Sequence, residues 1–410
     1  MDKEGLKRKS SLFSVFFTFA VDNLGATVVF PIFAPLFLDP LQGLLGLDVS
    51  RSYKTTLLGF FLGIHPLMQF IFAPILGEYA DHYGRKPAFL LTTSLTFIGY
   101  ALSAFGIHHH TLFWIFFGRL IMGAGAGNLS ICLSSLADLS PSRLKKMRHY
   151  SYGSAIAGLT FILGPFIGGK LSDPSISPLF HPSFPMVIGA ILGLINVLFI
   201  LFTFAETLKR PSKKPFDLTK GIGNIQAALR TESIRLLYLI YFFFLFSSNI
   251  IFLFIPAFAF EKFHFSNSTI GNICAFLGVC WMFGTVVLNR IFYHAIDRKP
   301  ILLTSFLLFS LLVVLIPYSR CLKTFLLLLG SCTLLSGLIW PICTSAISNL
   351  APAPMQGKAS GLSQSTLSMA MVLSSILGGL FLHAHFLIPF LLSGLSSLVA
   401  AIILLGIKVV

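Results

Sequence analysis

Residues 77–87 read Gly77-Glu78-Tyr79-Ala80-Asp81-His82-Tyr83-Gly84-Arg85-Lys86-Pro87. Charges of both signs and two glycines fall within a few positions, between apolar runs near 55–76 and 88–106. Each run is about 20 residues, the length an α-helix needs to cross the hydrocarbon core of a bilayer. The stretch therefore reads as a short charged turn between two membrane helices. Ten further runs of this kind lie near 12–38, 111–138, 149–170, 184–206, 234–260, 269–290, 300–317, 323–349, 359–382 and 386–407. The expected fold is an all-α polytopic membrane protein of twelve transmembrane helices.

Composition points the same way. The chain has 410 residues, of which 55% are hydrophobic, only 10% are charged and 44 are Phe. Mean hydropathy is +0.87. A soluble domain carries about 25% charged residues, so this chain lacks the charge to cover a water-facing surface of its size. An ordinary cytosolic enzyme, a disordered chain and a nucleic-acid binder are excluded as first readings. The first run follows Lys7, Arg8 and Lys9 but is too long for the apolar segment of a signal peptide, about 7–15 residues. It reads as a retained first helix.

The longest polar interval is 207–233, with Lys209, Arg210, Lys213, Lys214 and Lys220. It divides the chain into an N-terminal six-helix bundle (1–206), a central loop (207–233) and a C-terminal six-helix bundle (234–410). An even number of helices puts both termini on one side. With that side taken as the cytoplasm, 22 Lys and Arg face it and six face the opposite side. The positive-inside rule then places both ends in the cytoplasm of a multi-pass cell-membrane protein, in the inner membrane of a Gram-negative source. The halves repeat one another. Arg85-Lys86-Pro87 recurs as Arg298-Lys299-Pro300, 213 residues on; Pro141 recurs as Pro352, 211 on; Gly168-Gly169 recurs as Gly378-Gly379, 210 on. Parallel six-helix repeats hold a substrate between them near mid-membrane.

Ionisable residues inside spans are costly and point to function. Two lie deep, Asp22 in the first run and Arg119 in the fourth. Burial and a nearby cation act on a carboxyl group in opposite senses, which suits proton exchange or attraction of a cationic substrate. The competing reading is a structural ion pair between the two. Gln69 shares a helical face with His65, four positions earlier, with Pro66 between them. This face lines a cavity or joins helices. Asn249, Asn272, Gln364 and Trp340 in the second half read as packing. Small residues Gly123, Gly125 and Gly127 in the fourth run, and Gly153, Gly158, Gly164, Gly168 and Gly169 in the fifth, let neighbouring backbones approach; Pro165 implies a bend. In the 77–87 turn, Asp81 would face a helix N-terminus and Arg85 would pair with Asp138 at the end of the fourth run. The alternative is a solvated turn that sets topology.

His108-His109-His110 lacks the further ligands of a closed metal site, and no metal or cofactor is expected. The six Cys form no CxxC pair and read as small hydrophobes. The chain carries no nucleotide-binding motif and no nucleophile–base constellation, so it reads as neither an ATP-driven pump nor an enzyme.

The 77–87 turn resembles the major facilitator superfamily motif G-x-x-x-D-[RK]-x-G-[RK]-[RK], with His82 in place of the usual cation. Arg119 with Gly123 and Gly125 resembles the helix 4 motif linked there to proton coupling. Gly164-Pro165-Phe166-Ile167-Gly168-Gly169 resembles the helix 5 antiporter motif. Asp22-Asn23-Leu24-Gly25 followed by Pro31, Leu67-Met68-Gln69 through Pro74 and Gly77, and Ala137-Asp138 are similar to tetracycline–proton antiporters and their drug-efflux relatives. The likeness is dense over about 15–170 and thin beyond, where His294 aligns with Asp81 and Asp297 with Gly84. The resemblance implies proton-coupled efflux of a small amphiphilic or cationic compound, energised by the proton gradient. It implies proton or substrate roles for Asp22, Gln69 and Arg119, and a gating role for Gly77, Asp81, Gly84, Arg85 and Asp138. The expected partners are the bilayer, protons and a small molecule, without nucleic acid, and a monomer suffices because both halves are in one chain. A proton-coupled nutrient importer on the same fold is the alternative; a membrane receptor or enzyme is a remote one.

Overall fold

The computed structural model describes residues 3–39, 43–208, 232–292, 298–350 and 356–407. The central segment 209–231, with His294, Asp297 and Pro352, lies outside them. Twelve described helices are long and apolar enough to cross a membrane: α1 (Lys7–Leu38), α2 (Arg51–Tyr83), α3 (Arg85–His108), α4 (Leu112–Asp138), α5 (Leu144–Leu171), α6 (Phe184–Thr203), α7 (Arg235–Phe263), α8 (Asn267–Ile291), α9 (Lys299–Tyr318), α10 (Leu322–Leu350), α11 (Gly361–Leu382) and α12 (Leu387–Leu405). There is no strand among the described residues. The twelve apolar runs of the sequence each become one of these helices.

The largest departure is at the charged turn. Helix α2 continues through Glu78, Asp81 and His82 to Tyr83, and α3 resumes at Arg85. The break is Gly84 alone, at φ 110°, a conformation that glycine adopts without the steric cost of a Cβ. Nothing before Gly84 forbids a helix, and His82 Nδ1 lies 2.9 Å from the Glu78 carbonyl one turn back. Two spans are interrupted inside the membrane. Helix α1 breaks at Val28-Val29, where Pro31 removes an amide from the ladder. Helix α4 breaks at Ala126-Gly127, within its glycine-rich stretch.

The chain forms two compact units, residues 1–32 with 64–221, and residues 33–63 with 222–410. This differs from the division at 207–233, because residues 33–63 group with the second unit. The reason is close packing of α2 on α11: a Cβ on Gly379 would stand 2.6 Å from Gly59 Cα. Arg51 Nη2 also pairs with Glu261 Oε2 at 2.9 Å.

In the first unit, Val15, Phe19, Phe89, Ile131, Leu136, Ile200 and Phe204 form a buried apolar core between α1, α3, α4 and the end of α6. Thr18 donates to Asn196 Oδ1 at 2.8 Å, joining α1 to α6. In the second unit, buried serines do the joining. Ser247 donates to the Ser393 carbonyl at 2.7 Å, and Ser393 to the Ser247 carbonyl at 2.8 Å. Ser248 meets Ser336 at 2.9 Å, and Ser397 donates to the Phe306 carbonyl at 2.8 Å. The repeat shows in one shared device. Lys86 Nζ donates to the Leu201 carbonyl at the end of α6; Lys299 Nζ, 213 residues on, donates to the carbonyls of Leu405 and Ile407 at the end of α12. Each lysine satisfies carbonyls that a helix C-terminus leaves open.

Candidate functional site

The deep ionisable residues of the first unit gather around α1, α2, α3 and α4. Asp22 on α1 is partly accessible, whereas Arg119 and Asn128 on α4 and Tyr100 on α3 are buried. Asn128 is a polar neighbour of the Asp22 carboxyl. Its Oδ1 accepts from the Thr92 hydroxyl, which fixes the amide with its NH2 group turned elsewhere. That Nδ2 has no ordinary hydrogen bond to protein. The charge of Arg119 reaches His65 and Tyr100, and Tyr100 also feels Asp22. The Tyr100 ring is wedged between glycines. A Cβ on Gly25 would overlap its hydroxyl at 1.5 Å, and one on Gly189 would stand 2.7 Å from the ring. Gly25 lies three residues beyond Asp22, so this wedge places the phenol one turn from the carboxyl group.

Gln69 and His65 are partly accessible on the same face of α2. Gln69 Nε2 donates to the Ala126 carbonyl at 3.1 Å, one of the groups released by the break in α4. Non-helical backbone at membrane depth needs such partners. A Cβ on Gly123 would stand 2.5 Å from the His65 carbonyl, so α2 and α4 meet backbone to backbone beside this contact. The structure therefore brings Asp22, Arg119 and Gln69 to neighbouring helices of one unit, with Gln69 bonded to the α4 break.

A second cluster stands where α2 meets α3. Arg85 Nη1 pairs with Asp81 Oδ1 at 2.7 Å, and its Nε lies 3.5 Å from Asp138 Oδ2. The expected pairing with Asp138 is present, but Asp81 binds Arg85 rather than a helix N-terminus. That place belongs to Glu206, just past α6. Its carboxylate accepts the backbone N–H groups of Arg85 and Lys86 at 2.9 and 3.0 Å, and those of Thr207 and Leu208 at 2.9 and 2.8 Å. Burial works against the charge, but the four donors outweigh it and hold the Glu206 carboxyl below the usual range. Gly84 is required here twice over, by its φ and because a Cβ would stand 2.5 Å from Glu206 Oε2. Gly77 is not required by packing, since a Cβ would meet only Ser130 Oγ at 3.6 Å.

The helix 5 glycines pack on α1. A Cβ on Gly164 would stand 2.1 Å from Thr27 Oγ1 and 3.1 Å from the Leu24 carbonyl; one on Gly168 would stand 2.3 Å from the Val28 carbonyl. Pro165 and Gly169 belong to the same unbroken helix. These contacts begin two residues beyond Asp22 and end at the α1 break. Elsewhere, Asn272 is exposed and Gln364 is partly accessible. Trp340 donates to the Tyr241 hydroxyl at 3.0 Å, and Asn249 Nδ2 is buried without a hydrogen bond. The His108 ring stands 6.0 Å from that of His181. Burial and the imidazoles of His108 and His110 lower the His181 pKa.

Sequence reasoning did not single out Tyr100, Asn128 or Glu206. Tyr and Asn inside apolar runs carry a weak signal among many polar side chains. Glu206 is the acidic residue that closes the sixth run, a position that marks a span end but not the partner it caps.

Comparison with known proteins adds family evidence. The Major Facilitator Superfamily model matches residues 15–295 and 237–409. Class H tetracycline resistance protein of Pasteurella multocida is 32% identical over 190 residues, which is 46% of this chain and 43% of that protein. The class B protein of Escherichia coli is 29% identical over 46% of this chain and 42% of its own length. These matches thus take in less than half of those relatives. The class D protein of Salmonella ordonez is 26% identical over 87% of this chain and 86% of its length. Among solved structures, a D-xylose-proton symporter superposes with TM-score 0.76 at 16% identity, over 96% of both chains. The human organic anion transporter MFSD10 superposes with TM-score 0.69 at 22% identity, over 97% of this chain and 99% of that one.

Proposed function

We propose that this chain, which belongs to the Major Facilitator Superfamily and is a membrane transporter rather than an enzyme, exports a small amphiphilic or cationic compound in exchange for protons. The observation that carries the reading is Asp22. It is a partly accessible carboxyl group inside a span, backed by buried Asn128 and Tyr100 and within the same cluster as Arg119. An intramembrane acid of this kind binds a proton from one side and releases it to the other when the surrounding helices change partners. Substrate and proton then alternate at Asp22, and Arg119 tunes that exchange through the field it sets up. The similarity to tetracycline resistance proteins supports efflux, and the proton gradient would be the only energy source.

Gln69 and the α5 glycines act on the same helices. Gln69 holds the α4 break, and Gly164 and Gly168 let α5 slide close against the stretch of α1 that carries Asp22. Asp81, Gly84, Arg85, Asp138 and Glu206 form the gate-side latch, which stabilises whichever state keeps that end closed. The excess of Lys and Arg supports a cytoplasmic position for this end and both termini of a cell-membrane protein, and one chain holding both halves supports a monomer.

The test is proton movement in proteoliposomes under an imposed pH gradient, with cationic drugs, tetracyclines, organic anions and small nutrients added in turn. Antiport predicts gradient collapse on adding a drug. Collapse only with a nutrient that enters alongside protons would replace this reading with import. Ligand binding without any flux would replace transport with reception.

A further inference from the structure

The protein has three Trp, at 114, 281 and 340. Trp in membrane proteins concentrates at the two water interfaces, yet Trp281 and Trp340 each lie ten residues from the nearer end of their spans. At 1.5 Å per residue that is about 15 Å, the middle of the hydrocarbon core. Their rings stand 5.6 Å apart with planes inclined by 53°, so the pair does not close on itself as a parallel stack. Trp340 Nε1 donates to Tyr241 Oη at 3.0 Å, and Tyr241 is only 2% exposed. The indole plane is therefore held by a partly buried hydrogen bond.

Both indoles remain partly accessible, and that of Trp281 opens away from the lipid side. On α8 the exposed apolar residues Phe276, Val279, Met282, Phe283 and Val286 form one stripe. At about 100° per residue, Trp281 lies roughly half a turn around the helix from the centre of that stripe. Its carbonyl faces α10, where a Cβ on Gly337 would stand 2.1 Å away. The pair is thus an aromatic surface inside the protein, at mid-membrane depth and without an acidic or basic side chain on its own helices nearer than Arg290.

We propose that Trp281 and Trp340, braced by Tyr241, form a stacking platform for a planar aromatic portion of the transported molecule. This rests on the reading above that the chain moves a small organic compound, and it assigns the second unit a share in recognising it. Ring stacking rewards flatness and aromaticity and is indifferent to substituents.

The experiment uses the full chain in nanodiscs with Trp114→Phe, so that tryptophan fluorescence reports the pair alone. The probe is 9-anthracenemethanol, a flat uncharged alcohol, and the competitor is its fully saturated analogue. The expected result is saturable quenching that the saturated compound does not compete away. Trp340→Leu, read through Trp281, should weaken binding about tenfold, and Trp340→Phe, which keeps a ring, by about threefold or less. Should Trp340→Leu fail to insert, Trp281→Leu with Trp340 as reporter gives the same reading. Unchanged affinity in the Leu variants, or equal competition by the saturated analogue, overturns the platform. Binding is read without a gradient. Lost proton coupling with intact stacking would therefore sink the antiport reading alone, and coupled flux without stacking would sink the platform alone.

Discussion

The two units solve one problem by different means. Each must bury polar groups within a membrane, where every unsatisfied one is costly. The first unit does so around ionisable side chains: Asp22, His65 and Arg119 in the spans, and Arg85 with Asp81, Asp138 and Glu206 at one end. The second unit relies on neutral hydroxyls, with Ser247, Ser248, Ser310, Ser393, Ser396 and Ser397 bonded to serines or carbonyls of neighbouring helices. A neutral serine pair holds the same state at any physiological pH. An ionisable cluster does not, and the second unit's ion pair, Arg51 with Glu261, lies at the ends of its spans rather than deep within them, so the proposed proton-linked change falls to the first unit.

The sharpest way to break this contrast is Asp22→Asn. It preserves volume and replaces the titratable carboxyl, with its charge, by a neutral amide. Proton-coupled flux should fall by about a hundredfold or more, the loss of a proton-transfer group, while insertion and monodispersity persist. Ser393→Ala in the second unit should leave the coupling ratio unchanged. Coupled flux in Asp22→Asn, measured by a pH-sensitive dye in proteoliposomes, would remove Asp22 from the mechanism.

Next in size is a packing effect present in both units. Gly168→Val places side-chain atoms where the Val28 carbonyl already stands. Overpacking of this kind costs about 1–3 kcal/mol. Gly379→Val, against Gly59 Cα, should cost a similar amount in thermal unfolding. Only the first should also slow transport in the protein that survives, because Gly168 packs on the helix that carries Asp22. Equal transport losses in the two variants would mean that close packing, not the position of α1, limits the cycle.

Much of this was legible in the sequence because twelve apolar runs, a charged turn and repeated Arg-Lys-Pro triplets are local signals. Asp22 and Arg119 stood out since ionisation inside a run is conspicuous. Less legible were features that depend on which helices touch. Glu206 caps α3 from 120 residues away, so no spacing rule marks it, and the acidic residue inside the turn, Asp81, was the obvious but mistaken choice for that N-terminus. Tyr100 matters only because Gly25 and Gly189 leave room for its ring. The grouping of residues 33–63 with the second unit rests on contacts such as Gly59 on Gly379 and Arg51 with Glu261, and the glycine pair looks in sequence like any other.

Glu206 supplies the third test, of a charge at the edge of the first unit. Glu206→Gln weakens charge-assisted bonds to the α3 N-terminus and should cost about 1 kcal/mol, the scale of a helix cap. The sign with pH follows from its lowered carboxyl pKa. Above the ordinary value of 4.5 the contribution is fully present; it fades as pH falls through the lower folded-state value. The stability difference between wild type and Glu206→Gln should therefore be constant from pH 8 to 5 and shrink below about pH 4.5. A difference that shrinks already between pH 7 and 6 would mean that another group controls the latch.

The smallest effect belongs to the serines, and it bears directly on the contrast between the units. Ser247 and Ser393 exchange hydroxyl-to-carbonyl bonds at 2.7 and 2.8 Å, with their hydroxyls 3.0 Å apart. A double-mutant cycle with Ser247→Ala and Ser393→Ala reads the contact between the two hydroxyls, since the carbonyls survive both changes, and should give a coupling of about 0.6 kcal/mol and no more than about 1.7, the range for hydrogen bonds between membrane helices. The value is small because an unfolded helix in lipid also finds partners for its hydroxyls. It should also be the same at pH 5 and pH 8, since neither group titrates. A coupling that changed over this interval would show that the second unit senses protons after all. The division into a proton-responsive unit and a proton-indifferent one would then have to be abandoned.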